Sequence, residues 1–237
     1  MIKIENAEVY GWRAAIRGMR NPMNSWDRTD SHECLNKKIF GMWGECPMVE
    51  NGDSPGGDCN DGEYGFCIGE NDLDLMTRLS KAGPVHGKYL RMITVTCDIV
   101  APLYWWKEFD TYKVGTVADS CSTMHKIHAK EFTLDDFSHE HLCDKSLKTL
   151  QAVIDNLNIE RENFLQSKDK WCWWQMIQLL PSSYNQRRTV QLNYETLCNI
   201  YPYRKDHKLD EWREFCKWIE SLPYAEQLIL ARSKDET

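Results

Sequence analysis

The amino-acid sequence predicts an α+β fold in which a few strands are combined with long helices. Segments 1–10 and 89–100 alternate apolar and polar residues, which is the period of a strand buried on one face. The second half of the chain instead repeats apolar residues at the spacing of amphipathic helices. The chain has 237 residues, of which 42% are hydrophobic and 27% are charged. This length and composition indicate a single globular domain over residues 1–237.

The opening strand is followed by a short helix and a long polar segment. Residues 12–19 predict a short helix or turn, and Pro22 ends it. Residues 41–65 are rich in Gly, Asp, Asn and Pro, the residues that dominate turns. We expect this segment to form an exposed loop excursion without a metal ion.

A helix, a strand and a second helix follow the polar segment. Residues 69–82 predict a helix because apolar side chains recur three positions apart on one face: Leu73, Met76 and Leu79. Segment 89–100 is rich in β-branched residues, which favours a strand. Pro102 then begins a helix that continues from residue 103. Proline suits the first turn of a helix because the backbone N–H that it lacks would have no partner within the helix there.

Four helices are predicted in the second half of the chain. Each segment carries leucine, isoleucine or aromatic residues at helical spacing. The predicted helices span residues 146–158, 171–180, 190–201 and 210–221.

The charge balance and the apolar runs argue against two classes of partner. Lys and Arg number 29 against 36 Asp and Glu, a formal net charge of -7, whereas a general affinity for nucleic acid requires clustered cations. No apolar run approaches the roughly 20 residues that span a bilayer, and the N-terminus has no signal-peptide core. We therefore expect a cytoplasmic protein that binds neither nucleic acid nor a membrane.

The cysteines and histidines predict no metal site. The ten cysteines suggest reduced thiols rather than disulfides, because a chain of this length without a secretion signal needs no crosslinks. Cys34, Cys46, Cys59 and Cys67 are widely spaced and include no Cys-x-x-Cys pair. Segment 139–143 alternates two His and one Cys, which share a face only in a strand, but its surroundings are polar and helix-like.

Two polar turns suit an anionic ligand. Segment 83–88 resembles a phosphate-binding loop, but it is one residue short between its glycines, and Tyr89 stands where Ser or Thr would hold magnesium. We therefore reject a nucleotide triphosphatase, while a turn with one His and one Lys can still meet a phosphate or a ring. Segment 118–123 supplies hydroxyls and backbone N–H groups close to cations. The alternative for this segment is a helix end followed by an N-cap.

The spacing of several separated residues resembles that of the flavin-dependent thymidylate synthases of the ThyX type. Sixteen residues lead from His86 through a strand to Pro102, and a helix and a Ser-bearing turn follow. Further along the chain, Pro181 precedes Asn193 by twelve residues, and Asn193 precedes Arg204 by eleven.

The signature motif of this family is only partly kept. The family has Arg-His-Arg where this chain has Thr111, Tyr112 and Lys113, and eight residues then separate Lys113 from Ser122. Three further family residues, a Glu, an Arg and a Gln, are replaced here by Asp119, Ile177 and Glu108. The resemblance therefore implies the fold more strongly than the activity.

The resemblance covers about residues 80–220 and implies a small antiparallel sheet with long helices, in a subunit that forms a homotetramer. In the family, FAD lies between subunits and dUMP stacks on its isoalloxazine ring. The residues implied to face FAD are His86, Lys88, Tyr112, Lys113, Asn193, Asn199, His207 and Lys208. Those implied to face the pyrimidine nucleotide are Glu108, Asp119, Ser122 and Arg204, with Ser122 and Arg204 as catalytic residues.

Two functions follow from this resemblance. The first is a flavin-dependent, thymidylate-synthase-like enzyme that acts on a pyrimidine deoxynucleotide, with methylenetetrahydrofolate and NADPH as co-substrates, in the cytoplasm of a bacterium or a phage-infected cell. The residues that favour it are the retained Asn193, Asn199, Arg204 and His86. The second is a catalytically inactive relative that binds a nucleotide or protein partners, which the altered signature favours. A fold alone does not decide between them.

Overall fold

A four-stranded antiparallel sheet lies at the centre of the fold. The structure is a computed structural model, and it describes residues 2–33 and 66–233. Its strands are β1 (Lys3–Tyr10), β2 (His32–Glu33), β3 (Phe66–Cys67), β4 (Thr94–Pro102), β5 (Val117–Ser120) and β6 (Asn185–Asn193). The main sheet has the order β1-β4-β6-β5, and every neighbouring pair in it is antiparallel. The short strands β2 and β3 pair separately.

The helices account for most of the remaining described residues. They are α1 (Trp12–Arg20), α2 (Glu70–Lys81), α3 (Leu103–Phe109), α4 (Asp144–Ser167), α5 (Lys170–Leu179), α6 (Tyr194–Arg204), α7 (Asp210–Glu220) and α8 (Ala231–Ser233). The architecture is thus the predicted α+β combination of a small antiparallel sheet with helices. In the part of the chain that the structure describes, no helix is long and apolar enough to cross a membrane.

One face of the sheet is buried in the main hydrophobic core. On β4, Val95, Cys97 and Ile99 are at most 1% exposed, as are Val190 and Leu192 on β6. These positions alternate with polar residues, so that the apolar side chains all point to one face. The helices contribute a group of large buried rings that pack over this face: Trp105, Trp106, Phe109, Trp212 and Phe215.

The other face of the sheet is polar and carries a hydrogen-bonded cluster around Asp98. One carboxylate oxygen accepts from Thr189 Oγ1 at 2.6 Å, and the other accepts from Asn6 Nδ2 at 2.8 Å and from Arg187 at 2.7 Å. These bonds, with that from Thr189 the largest contributor, lower the pKa of Asp98 to about 2. The cluster joins β1, β4 and β6 and so fixes their register from the solvent side.

A second, smaller core lies beneath a helical hairpin. The helices α4 and α5 are joined at Lys168, whose φ of 59° turns the chain. Together with the segment before α4 they enclose a set of apolar residues: Ile127, Phe132, Phe137, Leu150, Ile154, Leu157 and Met176. The hairpin therefore has a core of its own beside the sheet.

A buried ion pair holds α2 against the end of α1. The guanidinium of Arg20 donates to Asp72 at 2.6 and 2.7 Å, and the two side chains are 5% and 0% exposed. Ser31 and Thr29 also donate their hydroxyls to Asp72. Burial pushes the pKa of Asp72 upward, but the bonds from Ser31, Thr29 and Arg20 outweigh it and hold the pKa below its ordinary value.

Most of the predicted elements are present, with three differences in the segments that frame the site. The predicted strand over 89–100 begins only at Thr94, and residues 87–92 form a 3-10 helix. Tyr89 and Leu90 are both buried although they are adjacent, and Tyr89 donates to the carbonyl of Met76. A one-sided strand cannot bury two consecutive side chains in the same direction.

The predicted helix over 190–201 is wrong in its first part. Strand β6 continues to Asn193, and α6 runs from Tyr194 to Arg204. Residues 190 and 192 point into the core from a strand paired on both edges. Segment 118–120 likewise belongs to edge strand β5 rather than to a turn. The predicted excursion over 41–65 lies outside the described residues.

Replacing Asp72 with Asn is expected to lower the free energy of unfolding by about 3–5 kcal/mol, because it leaves Arg20 buried without its counterion. Urea unfolding at neutral pH measures this difference. Asp72 contributes fully to the free energy of unfolding above its unfolded-state pKa of about 4. This contribution is lost as the pH falls through the folded-state pKa, because that pKa is lower than the unfolded-state pKa.

Asp74→Asn is the matched control on the same helix. Asp74 pairs with Arg78 across one helical turn, but both side chains are largely exposed, at 64% and 67%. Exposed pairs of this kind contribute about 0–1 kcal/mol. Equal losses in the two variants would contradict the structural role assigned to the buried pair.

Candidate functional site

Five side chains converge where three helices meet, and we call them the Arg204 cluster. Its members are Glu108, Tyr112, Arg204, His207 and Trp212. Four of them are residues that the ThyX resemblance implies for FAD or nucleotide binding. The sequence predicts Trp212 only as an apolar residue of an amphipathic helix.

The sheet explains why these distant residues meet. Helix α3 begins where β4 ends, at Pro102, and α6 begins where β6 ends, at Asn193. Because β4 and β6 are antiparallel, these two points lie at opposite ends of their nine-residue ladder. The two helices pack back over the core and are together about 27 Å long, close to the length of the ladder, at roughly 1.5 Å and 3.4 Å per residue. Their C-terminal ends therefore meet.

A single carboxylate oxygen connects the cluster. Oε2 of Glu108 accepts from Arg204 at 2.5 Å and from the indole Nε1 of Trp212 at 3.0 Å. His207 Nε2 lies 3.5 Å from the same oxygen. His207 Nδ1 accepts from the backbone N–H of Leu209, so the ring proton belongs on Nε2, facing the carboxylate.

Arg204 is held between aromatic rings. Its Nε donates to the hydroxyl of Tyr112 at 2.8 Å, and its guanidinium carbon lies 4.4 Å from the ring of Trp212 and 5.5 Å from that of Tyr112. The side chain is 17% exposed, that of Glu108 is 36% exposed, and Trp212 is fully buried. Arg204 is the last residue of α6, and Pro202 is accommodated within that helix rather than ending it.

Asn193 stands at the other end of α6 and caps it. Its Oδ1 accepts from the backbone N–H of Thr196 at 3.0 Å. Thr196 Oγ1 donates to the carbonyl of Val114 at 3.2 Å, which ties the loop after α3 to this cap. Gly115 in that loop has a φ of +75°, and a Cβ there would lie 2.5 Å from Asn193 Nδ2. The amide oxygen is therefore already used in the fold, and the flavin contact of Asn193 stays a prediction.

The remaining residues implied for the site are dispersed over the surface. Ser122 Oγ accepts from the backbone N–H groups of Met124 and His125 in a tight turn, as an N-cap does. Among the described residues, neither Ser122 nor Asp119, on edge strand β5, has a hydrogen bond or ion pair with the Arg204 cluster. The exposed residues of the set also include Lys113, Asn199 and Lys208.

His86 and Lys88 line a separate groove between α1, α2 and the turn before the 3-10 helix. The groove has a volume of about 1210 Å³ and also presents Arg28 and Arg78. That volume lies above the roughly 300–1,000 Å³ of ordinary small-molecule pockets. Asp27 and Asp74 line the same groove and Asp74 pairs with Arg78, so the groove carries charges of both signs.

Sequence reasoning missed an ion pair near the cluster. Arg188 on β6 pairs with Asp110 at 2.7 Å and stacks 4.2 Å from the ring of Trp106. It thereby attaches the end of α3 to the sheet. The sequence offered one signal for this ion pair. Asp110 is a carboxylate directly after a Trp-rich helix, two residues beyond Glu108.

The described thiols and imidazoles form no metal centre. Within residues 2–33 and 66–233, no three His, Cys, Asp or Glu side chains group as metal ligands do. His141 instead pairs with Asp210 at 2.9 Å. Cys34, Cys46 and Cys59 lie outside the described residues. Burial raises the pKa of Cys97 and Cys216 to about 12, so neither is a thiolate at neutral pH.

The fold and the cluster together define an α+β protein with an arginine-centred polar site. No protein-family model matches the sequence, and the search of curated proteins also gave no match. Solved structures do match. ThyX from Helicobacter pylori with FAD and dUMP superposes with a TM-score of 0.63 and 15% identity, over 99% of this chain and 100% of that one. A second structure of Helicobacter pylori ThyX with FAD and dUMP gives a TM-score of 0.61 and 16% identity, over 96% of this chain and 97% of that one.

A methylase has the same fold. UMP/dUMP methylase PolB from Streptomyces cacaoi, bound with 5-Br dUMP, superposes with a TM-score of 0.54 and 10% identity, over 99% of this chain and 94% of that one. These likenesses confirm the predicted ThyX-like fold. At such identities they establish the fold and not the activity.

Asn193→Ala is expected to lower the free energy of unfolding by about 1 kcal/mol, because it removes the N-cap of α6. Asn199→Ala, at an exposed position of the same helix, should change it by less than about 0.5 kcal/mol. Thermal unfolding without added flavin measures both differences. Equal effects in the two variants would contradict the capping role. FAD titration of both folded variants then reports separately on the predicted flavin contacts.

Proposed function

We propose that this protein is a flavin-dependent, thymidylate-synthase-like enzyme that binds a pyrimidine deoxynucleotide of the dUMP type and uses FAD. One observation carries the proposal. Glu108, Tyr112, Arg204 and His207, which come from two separate parts of the sequence, meet in one cluster. The sequence resemblance implies a ligand-binding role for each of these four residues, and their spatial convergence supports that role independently.

The cluster can bind an uncharged or partly charged ring ligand. Arg204 keeps guanidinium N–H groups beyond those used by Tyr112 and Glu108. Stacking on Trp212 and Tyr112 fixes the guanidinium plane, so that its remaining donors point in defined directions. Preorganised donors of this kind orient a ligand without a further entropic cost.

The residues present also fit FAD. The groove with His86 and Lys88 offers the cations Lys88 and Arg28 to a diphosphate, whereas Arg78 is already paired with Asp74. Tyr112, Asn193 and His207 supply hydroxyl, amide and imidazole groups near the ends of α6. When bound, FAD supplies hydride chemistry, and the protein orients the reactants and excludes water. Methylenetetrahydrofolate and NADPH belong to this proposal as co-substrates.

The solved structures of the same fold support this choice of ligands. The Helicobacter pylori ThyX structures contain FAD and dUMP, and the PolB methylase contains 5-Br dUMP. We infer the same ligand classes for this chain. Ser122 is kept as a proposed catalytic residue, together with Asp119 as a nucleotide contact, although its hydroxyl is engaged in the turn of residues 122–125.

A second candidate function is a catalytically inactive nucleotide-binding or protein-interaction protein. The observation that favours it is the ion pair between Glu108 and Arg204, which neutralises the arginine at 2.5 Å. Thr111 and Ile177 stand where the resemblance implies arginines. Fewer cations around a phosphate weaken its binding by about 1.5–3 kcal/mol for each charge-assisted bond.

We further propose that the chain forms one domain and assembles as a homotetramer in the cytoplasm. Exposed aromatic residues support assembly, because such residues are enriched in interfaces. Trp171 is 68% exposed and Trp174 is 41% exposed on the α4–α5 hairpin. On the polar face of the sheet, Tyr10 and Val117 are 50% and 65% exposed.

Arg204→Ala is expected to weaken dUMP binding by about ten- to a hundredfold, the loss of one charge-assisted contact. Calorimetric titration of the FAD-supplemented protein measures it. Stability should also fall, since Arg204 is mostly buried and bonded to two side chains. The titration therefore belongs well below the melting temperature of both proteins.

Arg161→Ala is the control. Arg161 is half-buried on α4 and donates to the carbonyl of His128, away from the Arg204 cluster. It should bind dUMP as the wild type does. If dUMP affinity is unchanged in Arg204→Ala, or equally lowered in both variants, Arg204 does not belong to a nucleotide site.

Light scattering of the purified protein should give a mass four times that of the 27.9 kDa chain. The reason is that the proposed FAD site is shared between subunits. Dilution through the micromolar range serves as the control for weak association. A monomer throughout that range would remove the shared site from the proposal.

A further inference from the structure

Strand β6 carries two polar residues on its core-facing side. Gln186 and Arg188 lie four and two positions before Val190, so they point to the same side of the sheet as that core residue. Gln186 is only 7% exposed, and the side chain of Arg188 is 15% exposed. Polar groups at such positions lower the stability of a fold unless they are hydrogen-bonded. Their partners therefore show what this pair of residues holds in place.

Both ends of the Gln186 amide are hydrogen-bonded. Its Nε2 donates to the backbone carbonyl of Cys121 at 2.8 Å, and its Oε1 accepts from Arg188 Nε at 3.0 Å. Arg188 is itself fixed by its ion pair with Asp110 and by its stacking on Trp106. Gln186 thus attaches the Cys121 carbonyl to the core-facing side of the sheet and, through Arg188, to the end of α3.

A second side chain holds the segment that follows Cys121. The indole Nε1 of Trp173, on α5, donates to the backbone carbonyl of Met124 at 2.9 Å. The two carbonyls lie on either side of Ser122 in the chain. Ser122 Oγ accepts from the backbone N–H groups of Met124 and His125 at 3.2 and 2.9 Å. The direction of this hydroxyl therefore depends on the backbone of the turn, which β6 and α5 both hold.

We propose that Gln186 and Trp173 are positioning residues, which hold the Ser122 turn (residues 121–125) in the conformation that binds the nucleotide. The inference rests on the proposed function, which places Ser122 in the nucleotide site. Both side chains bond to backbone carbonyls, so their effect on a ligand passes through the turn. Strand β5, just before the turn, has four residues that are all exposed. Side-chain packing there contributes little to holding the turn.

Gln186→Glu tests the contact from β6. The variant keeps an acceptor for Arg188 but replaces the donor to Cys121 with a carboxylate oxygen. Peptide-resolved hydrogen exchange over residues 121–125 should become about three- to tenfold faster, for the loss of one hydrogen bond. In calorimetric titration of the full-length protein with FAD, dUMP affinity should fall by a similar factor. Gln191→Glu makes the same change at an exposed position of the same strand and should alter neither quantity.

Trp173→Phe tests the contact from α5. The variant keeps an aromatic ring and removes the indole N–H that donates to Met124. Exchange over residues 121–125 and dUMP affinity should change in the same directions and by similar factors as in Gln186→Glu. Trp26→Phe is the matched control, because it also removes one indole hydrogen bond, to Asn21 Oδ1 at 2.8 Å. The two contacts come from different elements, so a folding defect in one variant leaves the other as a test.

The outcomes separate this inference from the proposed function. Wild-type protein that binds no dUMP, with or without FAD, contradicts the proposed function and the inference together. Undiminished dUMP affinity in the folded Gln186→Glu and Trp173→Phe variants contradicts the inference alone. Exchange over residues 121–125 that is no faster than in the two controls also contradicts it alone. Faster exchange confined to that turn, together with weaker dUMP binding, supports both.

Discussion

The ion pair between Glu108 and Arg204 is the interaction on which the proposed site depends. It joins the C-terminal ends of α3 and α6 over the buried ring of Trp212, and the same carboxylate oxygen reaches α7 through the indole N–H. The two residues meet because α3 and α6 follow the antiparallel strands β4 and β6. The two helices begin at opposite ends of the ladder and pack over the same face of the sheet. Their summed length matches that of the ladder. A polar, half-buried site is the consequence of this geometry, and its chemistry is set by which residues stand at the two helix ends.

The sequence predicts the elements whose side chains repeat with an unambiguous period. Segments 69–82 and 210–221 form helices close to their predicted bounds because their apolar stripes face one core. Segment 185–193 differs, since Val190 and Leu192 fit either a strand or the start of the helix that follows. The pairing with β4 and β5 makes these residues part of a strand, and both partner strands are distant in sequence. Tyr89 and Leu90 show the same limit, because the 3-10 helix that carries them packs against α1, α2 and α6.

The site could be predicted as far as residue types at fixed spacings allowed. Arg204, Glu108, Tyr112 and His207 follow from the resemblance, and the structure brings them together. Trp212 could not be singled out, because an indole that accepts a guanidinium on its face and donates its N–H to a carboxylate has the same sequence pattern as a core tryptophan. Asn193 illustrates the opposite case, since its amide caps a helix whose start the sequence places four residues too early.

The central claim is that a pyrimidine nucleotide binds beside a flavin in this fold. The most direct measurement is the visible absorption spectrum of the protein reconstituted with FAD, recorded before and after addition of dUMP. A ring that stacks on bound flavin changes its electronic environment, so the account predicts retained flavin and a saturable change of its absorption band with dUMP. Protein that retains no flavin, or a flavin band indifferent to saturating dUMP, would contradict the account.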